Sequence, residues 1–194
     1  MKRAIALLEK HNLLKIISDE LDINLEIPHI AYVEVKRADS KAILFTNVVD
    51  RKNSKKFKEP VLMNVFCNED AVKLFIGDGD KIGSEIESLL KLKPPVTFSE
   101  KLSTLGKLFS LKNTIPKKLN KKGECQEVIK LGADAKLSDL PVLTTWEEDG
   151  GPFITMGQVY TQSLNGELKN LGMYRLQVFP DNTLGMHWQI HKDS

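Results

Sequence analysis

Polar and apolar positions change their period along this chain. Residues 3–10, RAIALLEK, carry apolar side chains at helical spacing, and LLKIIS soon after them reads as a short strand. LEIPHIAYVEVKRA returns to a helical reading, with Pro28 near the first turn, where a missing N–H is tolerated. AILFTNVV and VLMNVF are short, mostly apolar runs of the kind that buried strands carry. This alternation over the first 66 residues predicts an α/β layer domain. From EVIKLG onward the pattern turns to strands: PFITMGQVY, LGMYRLQVF and TLGMHWQI, each bounded by Gly, Asn, Pro or Asp. Between these regions, residues 92–124 hold LKPPV, two basic loops and few long apolar runs, which places a boundary between about 115 and 130. The expected division is an α/β domain over 1–120 and a mainly β part over 121–194.

The last predicted hairpin has two different faces. With Pro180, Asp181 and Asn182 in the turn, side chains alternate across the sheet. Tyr174, Leu176 and Val178 then share an apolar face with Leu184, Met186, Trp188 and Ile190, which we assign to the core. The other face carries Arg175, Gln177, His187, Gln189 and His191, interrupted by Met173, Phe179 and Gly185. Two readings stay open on pattern alone: a solvated face of an antiparallel sheet, or a wall built for an anion or a metal-bound phosphate. Asn170 has the opposite parity to Arg175, so it joins that wall only from a turn or across a bulge, and SLNGELKN offers the turn.

Composition narrows the classes. At 194 residues, 41% hydrophobic and 28% charged, the chain can bury a sizeable core. Its 28 basic and 26 acidic residues leave a formal charge of +2, which gives no global case for a nucleic-acid or membrane partner. Cys67 and Cys125 show neither metal-ligand spacing nor a disulfide framework, so a reducing cytoplasmic setting fits. The N-terminal MKRAIALLEKHNLLKII lacks a small-residue cleavage site, and no apolar run approaches the roughly 18 residues of a membrane span.

Two motifs draw attention and read as ordinary surface. DRKNSKKFKEP carries five basic residues (Arg51, Lys52, Lys55, Lys56, Lys58) around a single aromatic, Phe57, and PKKLNKK at 116–122 is similar; both read as solvated loops. FIGDGDKIGSEIESLLKL has glycines ahead of a helix, but its GxGxxxG spacing and the carboxylates of Asp78 and Asp80 argue against a phosphate loop. It reads as a turn, then a helix opened by a Ser84/Glu87 capping box.

LEIPHIAYVEV, AILFTNVV with PVLMNVF, LPVLTTWEEDGGPFITMGQVYTQSLNGELKNLGMYR and MHWQIH, taken in this order, resemble the UbiD-type decarboxylases over nearly the whole chain. The resemblance implies an N-terminal α/β domain followed by the first strands of a split, flavin-reductase-like β-barrel that binds prenylated FMN. It implies non-oxidative decarboxylation of an aromatic acid in ubiquinone or menaquinone biosynthesis. By the same resemblance Asn170 and His191 match ligands of a divalent metal, usually manganese, with potassium as a further candidate ion. Arg175 matches the catalytic arginine that contacts cofactor and substrate carboxylate, and Thr155, Met173, Tyr174, His187, Trp188, Gln189, His191 and Lys192 match cofactor-contacting positions. His187 stands where an arginine is usual, and HKDS replaces a more glycine-rich continuation. A third metal ligand, the acidic proton donor and a dimer-forming region have no match in these 194 residues. The chain is therefore expected to be an N-terminal part, inactive alone, of a homo-oligomeric enzyme. That enzyme would draw its cofactor from a flavin prenyltransferase, and a lipophilic substrate would bring it to a membrane surface. The alternative is a non-catalytic assembly or binding module; no nicotinamide fingerprint supports an ordinary flavin reductase.

Overall fold

A computed structural model describes residues 1–91, 105–106, 118 and 120–190. Contacts group the chain into two compact units, Met1–Phe75 with Ala135–Ser194, and Ile76–Asp134. The expected boundary at 120/121 falls inside the second of these.

The first unit begins with α1 (Lys2–Lys10), β1 (Leu14–Ile17), β2 (Leu21–Asp22) and α2 (Glu26–Val35). It continues with β3 (Ala42–Phe45), β4 (Val48–Asp50), β5 (Lys55–Lys56), β6 (Val61–Met63) and α3 (Glu69–Ile76). One small sheet has the order β1-β3-β6 and another β2-β4-β5, with β1 parallel to β3 and β2 parallel to β4. AILFTNVV therefore makes two strands in two sheets rather than one. Thr46 and Asn47 turn the chain between them: the Thr46 N–H donates to the Ile17 carbonyl at 3.0 Å, and the Asn47 carbonyl accepts from the Leu21 N–H at 3.1 Å. VLMNVF likewise stops at Met63, because Asn64 takes a positive φ of 55° that a strand does not continue.

Ile27, Ile43, Phe45, Val48, Phe57 and Val61 form the buried cluster, with Leu21, Ile23, Met63 and Leu143 against it. Phe57 is the aromatic of the basic loop, so that loop is anchored inside. Three of its five cations are paired: Arg51 with Glu26, Lys55 with Asp139 and Lys56 with Glu20. Those three pairs lower the net positive charge of the stretch.

Leu143 and Thr144 join the N-terminal layer to the last sheet. Thr144 bridges Asn24 in parallel fashion, and Leu143 bridges Phe153 antiparallel. That last sheet, of order β7-β8-β9, contains β7 (Phe153–Gln162), β8 (Lys169–Val178) and β9 (Leu184–Met186). The turn at Pro180–Asn182 forms as expected, with Asn182 at φ 66° and the Phe179 N–H donating to the Thr183 carbonyl at 3.0 Å.

Among the described residues of the second unit, α4 (Gly79–Leu90) is the longest element. Its N-cap is Asp78, whose carboxylate accepts from the Asp80 and Lys81 N–H groups. The expected Ser84/Glu87 box is thus corrected. Ser84 lies inside the helix, its hydroxyl donating to the Asp80 carbonyl at 2.8 Å, and Glu87 pairs with Lys91. An acidic cap on the free amides also removes them from phosphate binding.

Candidate functional site

β8 is regular from Lys169 to Val178, and the irregularity of the pair lies in β7, between Ile154 and Gly157. The extra residue there is accommodated at Thr155 and Met156, both exposed. Because β8 itself does not bulge, side-chain parity along it is fixed. Asn170, opposite Thr161 in the ladder, shares the face of Tyr174 and Leu176, and Arg175 projects from the other. The turn in SLNGELKN closes earlier, through the Ser163 N–H to the Leu168 carbonyl. Asn170 and Arg175 are therefore not brought together on one wall.

The assigned apolar face holds in part. Tyr174 is buried, at 4% exposure, and Leu176 and Val178 are half-buried. β9 ends at Met186, however, and Trp188 and Ile190 beyond it are 56% and 97% exposed, so they do not belong to the core. The opposite face is bare and largely apolar in its middle, where Tyr160, Leu171 and Met173 are exposed with the polar Gln158 across from Met173. At one end of it stands Arg175.

That arginine is held on three sides. Its guanidinium carbon lies 3.9 Å from the Phe153 ring centroid, its Nη2 donates to Asp149 Oδ2 at 2.8 Å, and its carbonyl accepts from the His187 N–H at 3.0 Å. His187 is thereby placed opposite Arg175 one residue past β9. Next to it, Gln177 Nε2 donates to the Gly150 carbonyl at 2.8 Å. The segment Trp146–Gly151 is thus pinned across the end of β8 by the two polar residues of the predicted wall. Sequence reasoning missed Asp149 and Phe153, since Asp-Gly-Gly reads as a turn and Phe153 as strand filling. Gln189 is exposed, and His191 and Lys192 lie outside the described residues.

The other side of the same segment lines an open cavity of about 760 Å³ with α2. Tyr32 and Trp146 meet edge to face there at 5.5 Å, beside His29, Glu26, Glu147 and Glu148. Glu26 is held ionised. The Asp22 N–H and then the Arg51 guanidinium, both donating to its carboxylate, lower its pKa below the ordinary glutamate range. With Glu26 paired to Arg51, Glu147 and Glu148 still give this cavity an acidic edge that disfavours an organic acid. The Arg175 edge is the better one, for an exposed apolar strip ending in a guanidinium matches a flat ring system with an anionic group.

A metal is a different matter. Among the described residues no group of three His, Cys, Asp or Glu side chains could hold one. Asn170 supplies a single amide oxygen where a hard divalent ion takes several oxygen ligands. The described residues alone do not make a metal centre.

Comparison with known proteins places this geometry. Residues 5–90 match the model of the 3-octaprenyl-4-hydroxybenzoate carboxy-lyase N-terminal domain, and residues 117–194 match that of its Rift-related domain. The chain belongs to the UbiD family. It is similar to an uncharacterized protein of Helicobacter pylori, 46% identical over 198 residues, across 100% of this chain and 32% of that one. A protein of Archaeoglobus fulgidus is 36% identical over 194 residues, with 99% and 38% covered. The chain thus spans about a third of the length of these UbiD-family relatives.

Among solved structures, the closed form of Sedimentibacter hydroxybenzoicus vanillic acid decarboxylase aligns at a TM-score of 0.67, with 19% identity over 95% of this chain and 36% of that one. Apo 3,4-dihydroxybenzoic acid decarboxylase of Klebsiella pneumoniae aligns at 0.65, with 22% identity, 99% and 37% covered. An evolved dimeric form of the UbiD-class enzyme HmfF from Pelotomaculum thermopropionicum, solved with prFMN, aligns at 0.62, with 22% identity, 97% and 38% covered. At these identities the likeness is one of fold: a mixed α/β N-terminal region with small sheets.

Proposed function

We propose that this chain is the flavin- and carboxylate-holding part of a prenylated-FMN-dependent decarboxylase acting on an aromatic acid of quinone biosynthesis. The observation that carries this reading is the Arg175 guanidinium, fixed on Phe153 and Asp149 at the end of a bare, largely apolar sheet face. On this reading β7, β8 and β9 are strands of a split barrel, with the division of the chain at 120/121. Thr155, Met173, Tyr174, His187, Trp188, Gln189, His191 and Lys192 are the cofactor-holding positions. Asn170 and His191 are offered to manganese, with Asn170 acting from the opposite face of β8.

The chemistry divides between the group and the chain. Prenylated FMN, when bound, supplies the electron sink for loss of carbon dioxide. Arg175 binds the substrate carboxylate through N–H donors in a fixed plane, which orients the bond to be broken. Tyr160, Leu171 and Met173 offer an apolar surface on which a ring face can lie. An apolar floor disfavours the hydrated carboxylate relative to the neutral carbon dioxide it becomes. His187, level with Arg175, adds a group able to donate to an anion.

Coexpression with a flavin prenyltransferase in manganese-supplemented medium tests the proposal. The chain is expected to copurify with a visible flavin spectrum, and Arg175→Ala to bind prenylated FMN about tenfold more weakly, the loss of one charge-assisted contact. A colourless preparation with no quenching of tryptophan fluorescence by added prenylated FMN would refute it, in favour of the assembly or binding module.

A further inference from the structure

A guanidinium presents five N–H donors in a rigid plane, and which of them meet an incoming anion depends on how that plane is held. In Arg175 the face lies on Phe153 and Nη2 is committed to Asp149 Oδ2 at 2.8 Å. Asp149 is the better-fixed partner, its side chain 12% exposed against 37% for Arg175. Its Oδ2 also accepts from the Trp146 N–H at 3.2 Å, while its own N–H donates to the Trp146 carbonyl at 3.1 Å. The carboxylate is thus built into a closed turn and cannot follow the arginine. Among the described residues, Nε and Nη1 of Arg175 have no protein acceptor.

We propose that Asp149 is a positioning residue, backed by Phe153, that locks Arg175 with Nη2 engaged and leaves Nε and Nη1 turned toward a substrate carboxylate. Two carboxylates on separate donors of one guanidinium share its charge without touching, so the resident anion orients the site without filling it. The assignment rests on the reading of Arg175 as the carboxylate-binding group, and the test separates the two.

In the 15N-labelled chain, the Arg175 side-chain signals, assigned by their loss in Arg175→Lys, report rotation about the Nε–Cζ bond. Wild type is expected to rotate slowly, Asp149→Asn at least about tenfold faster, as loss of a charge-assisted hydrogen bond predicts. Asp149→Glu should restore most of the slowing, and backbone amide signals should stay in place outside the 146–151 turn. Wild-type rotation in Asp149→Asn overturns the positioning role. So does loss of backbone dispersion in both Asp149→Asn and Asp149→Ala, which would make the residue structural. Sodium benzoate is then added to wild type, and a moving Arg175 Nε signal supports the carboxylate reading. If that signal stays still while Asp149→Asn still frees the rotation, the lock stands and its use for a carboxylate fails.

Discussion

Glu26 shows how much a single residue can tie together. It opens α2, faces the cavity beside Tyr32, and accepts from both the Asp22 N–H and Arg51. Its pKa is depressed in the folded chain by those donors, the backbone one first. A depressed acid contributes stability that is present above its unfolded pKa and lost as pH falls through the folded value. Glu26→Gln keeps an oxygen for the Asp22 N–H and removes the charge. Urea denaturation is therefore expected to show wild type more stable than Glu26→Gln near neutrality, with the gap closing as pH drops below roughly 4.3. A gap that persists at low pH would assign the effect to packing. None of this was readable in LEIPHIAYVEV, where Glu26 looks like one more polar position, because both of its partners lie outside that run. The place of Arg175 on the face opposite Tyr174 and Leu176 was legible from strand alternation, whereas its contacts with Asp149 and Phe153 were not.

At the scale of elements, strand parity decides what the hairpin can do. The alternation in LGMYRLQVF predicted β8 nearly to its ends, and the structure keeps that alternation unbroken. What could not be foreseen was the strand that would carry the bulge. Its position in β7 leaves Asn170 facing away from Arg175, and it arises from pairing between segments rather than from either segment alone. Gly172 shows a similar dependence on context. A Cβ added there would stand 2.4 Å from Tyr174 Cε2 and 3.0 Å from Cζ, and that ring is buried. Gly172→Ala must displace the ring or bend the strand, and is expected to lower stability by about 1–3 kcal/mol, the usual cost of overpacking. Chemical denaturation measures it; a neutral result would mean that Tyr174 has room to turn. The α4 cap differs from the Ser84/Glu87 expectation because the helix starts earlier, at Gly79, where the Asp78 carboxylate meets the first free N–H groups.

For the molecule as a whole, the expected cut at 120/121 follows where composition shifts, while contacts follow where segments return. Ala135–Ser194 groups with Met1–Phe75, and there Leu143 packs against the buried cluster while Thr144 bridges Asn24 and Leu143 bridges Phe153. Periodicity reports which face of an element is apolar, and says nothing about which distant element covers it. Leu143→Ala removes apolar contact from this junction and should cost about 2 kcal/mol. Circular dichroism, reporting all the sheets, and the fluorescence of Trp146 and Trp188, reporting the last segment, should then shift to lower urea together. Separate transitions would mean that β7–β9 melts independently of the N-terminal layer.

The parallel bridge between Asn24 and Thr144 also orders events in time. The Leu25 N–H finds its acceptor in the Thr144 carbonyl at 3.1 Å, and the Ile23 carbonyl accepts from the Thr144 N–H at 3.2 Å. On a ribosome, those two early backbone groups wait in water until a stretch made much later has emerged, so the first layer is finished last. Closing so wide a loop is the kind of non-local step that slows folding.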